Sequence, residues 1–457
     1  MPGWMAGVVG QPQANSRIRS MMPAQVLVLG FAVLISAGTL VLMLPVSAAS
    51  GRATPLPDAL FTATSAVCVT GLIVVNTAEY WSRFGQLVIL LLLQAGGLGI
   101  MTMSTLFALL IGRRITFRER LWIQEAIAAP TLSGVVRLTK AILAVTALLE
   151  GIGAVLLTAR FSFDYPLPTA LLFGLFHSVS AFCNAGFDLL GTSFTGYVED
   201  AFVNIVLMLL ILVGGIGFIV IVDVYENRRS LRRLSLHSKL VLLTSAVLLV
   251  LGTIFVMVVE WNNPHTMGGL SLPGKILSAL FHSVTPRTAG FNTLPTGMLM
   301  PATQLFTIAL MFIGGSPGGT AGGIKTTTLA ALVAAVKSTV AGKAEIEIFE
   351  RRLPREVVEK ALAITMMGLA MVVGSSVLLL LSEGVSIQDA LFEATSAFGT
   401  VGLSTGLTGR LSTFGKLVVT VTMFTGRLGP LTLAIALAQR PRYVSTARLP
   451  EEKIVVG

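Results

Sequence analysis

Apolar residues along this chain come in runs of about 20 or more, not at the three-to-four spacing of a half-buried helix, and a helix of that length crosses a bilayer of about 30 Å. Runs at 24–47, 85–111, 136–158, 202–222, 238–259, 303–336, 360–382 and 413–437 predict eight spans, the sixth interrupted. Four shorter stretches lie between the members of successive span pairs: ALFTATSAVCVTGL (59–72), GLFHSVSAFCNAGF (174–187), ALFHSVTPRTAGF (279–291) and ALFEATSAFGTVGL (390–403). Their Phe and last Gly lie 10, 10, 9 and 10 positions apart. Each reads as about three helical turns ending in a small, Ser/Thr-containing strip that reaches Gly71, Gly186, Gly290 or Gly402. Such a segment is too short to span, so it enters the membrane and returns.

A second glycine element recurs 24 to 28 residues further on, within the following span: GGLG (96–99), GGIG (214–217), GGSPGG (314–319) and GRLG (426–429). Small residues at that depth allow a helix backbone to approach a neighbour closely. The fold class expected is an all-α integral membrane protein built from four tandem span, pore-loop, span repeats, arranged pseudo-fourfold around one pore. The divisions are a cytoplasmic arm (1–20), repeat 1 (21–112), repeat 2 (113–226), repeat 3 (227–345, its inner helix broken over 303–340), repeat 4 (346–440) and a cytoplasmic tail (441–457).

Composition fits a membrane protein: 54% of the 457 residues are hydrophobic and 12% charged. The net charge of +10 would suggest nucleic acid until the bases are placed on the spans. With the N-terminus inside, the inner segments hold 23 of the 32 Lys and Arg residues and the outer segments 6, an asymmetry that puts both ends in the cytoplasm. The basic balance therefore signals topology, and no nucleic-acid partner is expected. No short apolar core with a cleavage site stands near the start. The outer loops lean acidic, which either concentrates cations at the mouth or is ordinary loop solvation.

Non-helical backbone at membrane depth survives only when buried in protein or lining a wet path. Four such loops converging on an axis could replace the hydration shell of an alkali cation with backbone carbonyls. The candidate filter is Cys68, Val69, Thr70 and Gly71; Cys183, Asn184, Ala185 and Gly186; Arg287, Thr288, Ala289 and Gly290; Gly399, Thr400, Val401 and Gly402. Potassium would be substrate there, with no tightly bound cofactor. Glycine-rich loops that merely pack a bundle are the plainer alternative. Carboxylate-coupled transport would need a repeated acid set, and only Glu150 and Glu393 fall inside, the first read as partner to a buried donor and the second as a brace for the filter. His177 and His282 read as hydrogen-bonding groups around the filter, because no Cys or Asp stands at metal-ligand spacing. Cys68 and Cys183 occupy equivalent positions, too far apart for a bridge if they flank an ion path. No nucleophile and base constellation suggests an enzyme.

Three cations fall within the membrane, where charge is paired or functional. Arg287 is expected to tie its pore helix to an acid such as Glu393. Lys325 and Arg427 should lie below the filter, where positive charge repels a passing cation, so the loop 314–328, hinged on its glycines, could gate.

The stretches TSAVCVTGL, SAFCNAGF, HSVTPRTAGFN and SAFGTVGLSTGLT resemble, in order, the filter loops of the Trk/Ktr/HKT superfamily of potassium transporters and channels, over about 24–440. The likeness is closest to the bacterial Ktr-type membrane subunit, since the extra N-terminal spans of the Trk type are absent. This resemblance implies potassium uptake through the bacterial inner membrane and a homodimer with one pore per subunit. It also implies a cytosolic RCK-type ring that binds ATP or ADP, and frequent activation by sodium. In plant relatives Ser at the first filter Gly accompanies sodium permeation, so Gly71 favours potassium. The family's intramembrane gate maps onto Gly314, Gly315, Ser316, Gly318, Gly319, Thr320, Gly322, Gly323 and Lys325, and its gate arginine onto Arg427. The basic segments 227–239 and 337–360 would dock the ring, or simply obey the positive-inside bias. An alternating-access Na/K symporter is the runner-up reading.

Overall fold

The computed structural model describes residues 23–99, 102, 121, 124 and 135–438. The N-terminal arm, the tail at 441–457, most of the basic segment 113–140 and the inner end of the second predicted span lie outside these residues.

Among the described residues, four helices are long and apolar enough to cross a membrane, and each opens one repeat: α1 (Pro23–Leu42), α4 (Val135–Phe161), α8 (Leu236–Glu260) and α12 (Arg355–Glu383). A short helix follows each: α2 (Leu56–Val67), α5 (Leu167–Phe182), α9 (Leu272–Val284) and α13 (Ile387–Gly399). Local sequence starts these short helices. Pro stands in the first turn of α2, α5 and α9, and the Ser271 and Ser386 hydroxyls cap α9 and α13. The returning inner helices are α3 (Arg83–Leu98), α6 (Ala201–Ile216) with α7 (Phe218–Glu226), α10 (Pro301–Phe312) with α11 (Thr326–Val340), and α14 (Thr413–Leu428) with α15 (Pro430–Ala438).

The predicted straight spans at 202–222 and 413–437 need correction. They bend by 96° and 93° at Gly217 and Gly429, whose φ values of 99° and 82° no helix tolerates. Gly99 ends α3 with the same geometry, φ 82°. The third inner helix is therefore not the single broken member of its set: it opens into a loop where its counterparts turn sharply. A short hairpin, β1 (Ile346–Ile348) with β2 (Arg351–Leu353), joins α11 to α12 and was not legible in the sequence.

The cores follow the repeats. One apolar cluster joins α1, α2 and α3 to parts of α5, α13 and α14, and a second fills the space among α4, α5, α6 and α9. At the junction of the last repeat with the first, Lys416 Nζ on α14 lies 2.6 Å from Asp58 Oδ1 on α2, with both side chains about one-fifth exposed. Outside the helices, Ser271 donates through its hydroxyl and amide to Glu199, holding that carboxylate below its usual range. Removing one member of a half-buried pair strands the other. Lys416→Met should lower the stability of the detergent-purified protein by about 1–2 kcal/mol, read as a fall in thermal midpoint, and Asp58→Lys combined with Lys416→Asp should recover part of the loss.

Candidate functional site

The four predicted strips share one backbone course. Val69, Asn184, Thr288 and Thr400 adopt φ of 48°, 56°, 74° and 51°, and Gly71, Gly186, Gly290 and Gly402 follow two residues later at 84°, 67°, 77° and 94°. Three of those four non-glycine residues are β-branched, for which a left-handed backbone costs on the order of 1–3 kcal/mol. Strain of that kind persists where surrounding structure imposes it.

That structure is visible in the hydrogen bonds. The amides of Thr70, Ala185, Ala289 and Val401 donate to Ser65, Ser180, Thr285 and Ser396 carbonyls at 2.8, 2.8, 2.9 and 2.9 Å. The hydroxyls of Ser65, Ser180 and Thr285 donate to the carbonyls of Leu72, Phe187 and Phe291 just beyond each glycine, at 2.7, 2.8 and 2.5 Å. In the fourth strip the Gly402 amide donates to Ser396 Oγ at 3.1 Å. A buried hydroxyl thus folds each strip back against its own short helix, a signal present in the sequence as a recurrent Ser/Thr but not assigned there.

The terminal glycines meet in cyclic order. A Cβ on Gly71 would strike the Ala185 carbonyl and Gly186, one on Gly186 the Ala289 carbonyl and Gly290, one on Gly290 the Val401 carbonyl and Gly402, and one on Gly402 the Thr70 carbonyl and Gly71. The structure brings all four strips together at these glycines. Below them, Gly96, Gly214 and Gly426 lie against the Val67, Phe182 and Phe398 carbonyls at the ends of α2, α5 and α13.

In the second and third strips the first residue turns away from the glycine ring toward the surrounding helices. Cys183 faces Gly97 on α3, and its thiol lies 3.7 Å from Gln94 Oε1 and 3.8 Å from Glu150 Oε1. Both cysteines are buried and free. Arg287 does not reach Glu393, contrary to expectation. Its guanidinium donates to the Ser245 hydroxyl at 2.9 Å on α8, while Glu393 accepts from Ser404 at 2.8 Å and from Thr408. The reason is register: the positions of His177, His282 and Glu393 on their helices face the following segment of their own repeat. His177 accepts from the Leu189 amide at 3.1 Å, and His282 meets the Thr307 hydroxyl at 3.0 Å.

The loop 313–325 lies under the strips and touches three repeats. Its Ser316 and Thr320 amides donate to the Gly215 and Gly214 carbonyls at 3.0 and 3.2 Å, and Gly318 accepts from the Phe218 amide at 3.0 Å. The Thr320 hydroxyl donates to the Phe182 carbonyl at 3.2 Å, and Gly322 packs against Thr400. Gly315 donates to Gly322 at 3.3 Å, Gly314 and Gly323 lie in contact, and Gly319 rests on Gly214 and Gly217. Arg427 donates to the carbonyls of Thr320 and Gly96, the latter at 2.5 Å, so α14 holds the loop against α3. Lys325 Nζ donates to the Ala321 carbonyl at 2.7 Å. Among the described residues neither cation has a carboxylate partner.

Apolar helices of membrane length define a multi-pass membrane protein, and within it the four strips meet at their glycines. The family model for TrkH, described as a cation transport protein, matches residues 7–445, and the chain belongs to that family. It is 41% identical to the Ktr system potassium uptake protein B of Bacillus subtilis, across 95% of this chain and 97% of that one. It is 39% identical to the potassium/sodium uptake protein NtpJ of Enterococcus hirae, across 97% and 99%. In fold it is similar to the crystal structure of the potassium transporter TrkH from Vibrio parahaemolyticus, with TM-score 0.73 and 19% identity over 93% of this chain and 86% of the other. It is a potassium uptake membrane subunit of the Ktr/Trk type, and its relatives are transport proteins, not enzymes.

Losing a hydroxyl clamp leaves a buried carbonyl without its partner. Ser65→Ala, Ser180→Ala and Thr285→Val should each cost about 1–3 kcal/mol in thermal unfolding, whereas Ser36→Ala, at an exposed hydroxyl, should cost less than about 0.5 kcal/mol.

Proposed function

We propose that the chain forms a potassium-selective pore in which the four strips are the filter and the loop 313–325 with Arg427 is the gate. The observation that carries this reading is the cyclic contact of Gly71, Gly186, Gly290 and Gly402, each against the carbonyl that precedes the next glycine. Alternation of right- and left-handed backbone lets successive carbonyls share one side, where they can replace the water around a dehydrated cation. The helices α2, α5, α9 and α13 end at the strips, so their partial negative ends favour a cation as well. The four repeats thereby surround one pore, in a chain set in the bacterial inner membrane with both ends in the cytoplasm.

The gate reading rests on placement. The loop spans the space beneath the strips, and Arg427 and Lys325 put positive charge where a cation would leave the filter. The helix α11 starts directly after Lys325 and leads through a short turn to the hairpin at 346–353, giving a lever from the cytoplasmic side to the loop. A cytosolic RCK-type ring that binds ATP or ADP would act on that lever and on the basic segment 227–239. The subunit would work as a homodimer, with sodium as an activator.

Two measurements test this in reconstituted vesicles. Gly71→Ser places a side chain against Ala185 and Gly186, and potassium-over-sodium flux selectivity should fall by about tenfold, on the order of 1.4 kcal/mol; unchanged selectivity would remove Gly71 from the filter. Arg427→Ala, or deletion of 314–323, should raise potassium flux in the absence of any ring about fivefold or more. Flux that stays at the parent level in assembled protein would leave the loop without a gating role, and saturation at slow turnover would favour a symporter.

A further inference from the structure

Two polar residues stand behind the second strip at positions that matching repeats fill with apolar ones. The Ser178 hydroxyl donates to the Glu150 carbonyl at 2.7 Å, and the Ser283 hydroxyl donates to the Leu249 carbonyl at 2.8 Å, which makes Leu249 the counterpart of Glu150 in the third repeat. Gly153 and Gly252, three residues on, face the same two hydroxyls, and Gly38 faces Ala63 at the matching place in the first repeat, so the counterpart there is Ile35. Gln94 stands two residues before Gly96, and the same offset gives Leu212 before Gly214, Phe312 before Gly314 and Phe424 before Gly426. The fold is therefore built at these positions from Ile, Leu and Phe. A carboxyl and an amide there are not required by packing.

They meet each other and the filter. Gln94 Nε2 donates to Glu150 Oε2 at 3.1 Å, and Gln94 Oε1 and Glu150 Oε1 both lie within reach of the Cys183 thiol, at 3.7 and 3.8 Å. Cys183 is fully buried and Glu150 is 8% exposed, so water competes little for these bonds. Unmatched polar groups at membrane depth are costly, and those retained there mark function.

We infer that Gln94 and Glu150 are positioning residues that hold the Cys183 thiol, and through it the carbonyls of the second strip, in the geometry that discriminates potassium from sodium. The inference rests on the strips being the filter. The bracket belongs to two repeats, Gln94 to the first and Glu150 to the second, so it fixes the second strip relative to the inner helix beside it. In the third strip the first residue is Arg287, whose guanidinium instead donates to Ser245 on α8.

The test compares potassium and sodium flux in vesicles for the parent, Glu150→Leu, Gln94→Leu and Glu150→Gln. The parent should carry potassium selectively; a parent without that selectivity overturns the filter reading and this inference with it. Given a selective parent, Glu150→Leu and Gln94→Leu, which copy residues found at the matching positions, should each raise the half-saturating potassium concentration about fivefold and lower potassium-over-sodium discrimination at least threefold. Glu150→Gln keeps an oxygen to accept from Gln94 and should restore both to within twofold of the parent. If Glu150→Leu fails to assemble, Gln94→Leu carries the comparison alone. Half-saturation and discrimination within twofold of the parent in the leucine variants, or a glutamine variant as defective as Glu150→Leu, would overturn the positioning role.

Discussion

A backbone amide or carbonyl in the hydrocarbon core has no water to turn to, and the arrangement of this protein follows from where each such group finds a partner. A helix settles the matter internally. The four strips cannot, and their solution is local: an amide bonded back to the short helix in each, and a hydroxyl that in three strips donates to the carbonyl beyond the glycine and in the fourth accepts from the Gly402 amide. With those groups engaged, the carbonyls at Thr70, Ala185, Ala289 and Val401 sit where the neighbouring strip's glycine passes. A side chain on any of the four glycines would push the strips apart, so glycine is demanded by neighbour contact and by φ together.

The same constraint explains why the breaks of two inner helices are found together. The turn at Gly217 frees the Gly214 and Gly215 carbonyls from the helical ladder, and the Thr320 and Ser316 amides of the loop take them. In return the Phe218 amide, which starts α7, finds Gly318. Each break satisfies the other's orphaned groups. A movement of the loop must leave α6 with carbonyls to satisfy again.

The sequence made the class and the four strips legible because their signals are local: span length, the fourfold Phe-to-Gly spacing and the basic inner segments. The kinks at Gly217 and Gly429 were missed because glycine permits both a close helix contact and a positive φ, and only the partner across the gap decides between them. The partner of Arg287 was misassigned for a related reason. Charge complementarity pointed to Glu393, yet a hydroxyl and carbonyl pair at Ser245 on α8 lay nearer, and Glu393 faces its own loop. Glu150 was read as a partner for a buried donor, and Gln94 supplies that donor, but the two lie 56 residues apart and only the packing of α3 on α4 and α5 brings them together.

The cations at 325 and 427 follow from this economy of partners. A guanidinium beside a carboxylate in a low-dielectric interior would be held by a strong Coulombic attraction, and separating the two would leave both charges bare. Arg427 is held by the carbonyls of Thr320 and Gly96, which are dipoles without net charge. Releasing them costs hydrogen bonds, which water in an opening cavity can replace, and leaves no stranded anion behind. For a proposed gate this matters, because the closed state must be specific without being permanent. The arrangement joins the loop of the third repeat, the inner helix of the first and the inner helix of the fourth at one side chain, so moving the loop away from α3 must break bonds made by Arg427.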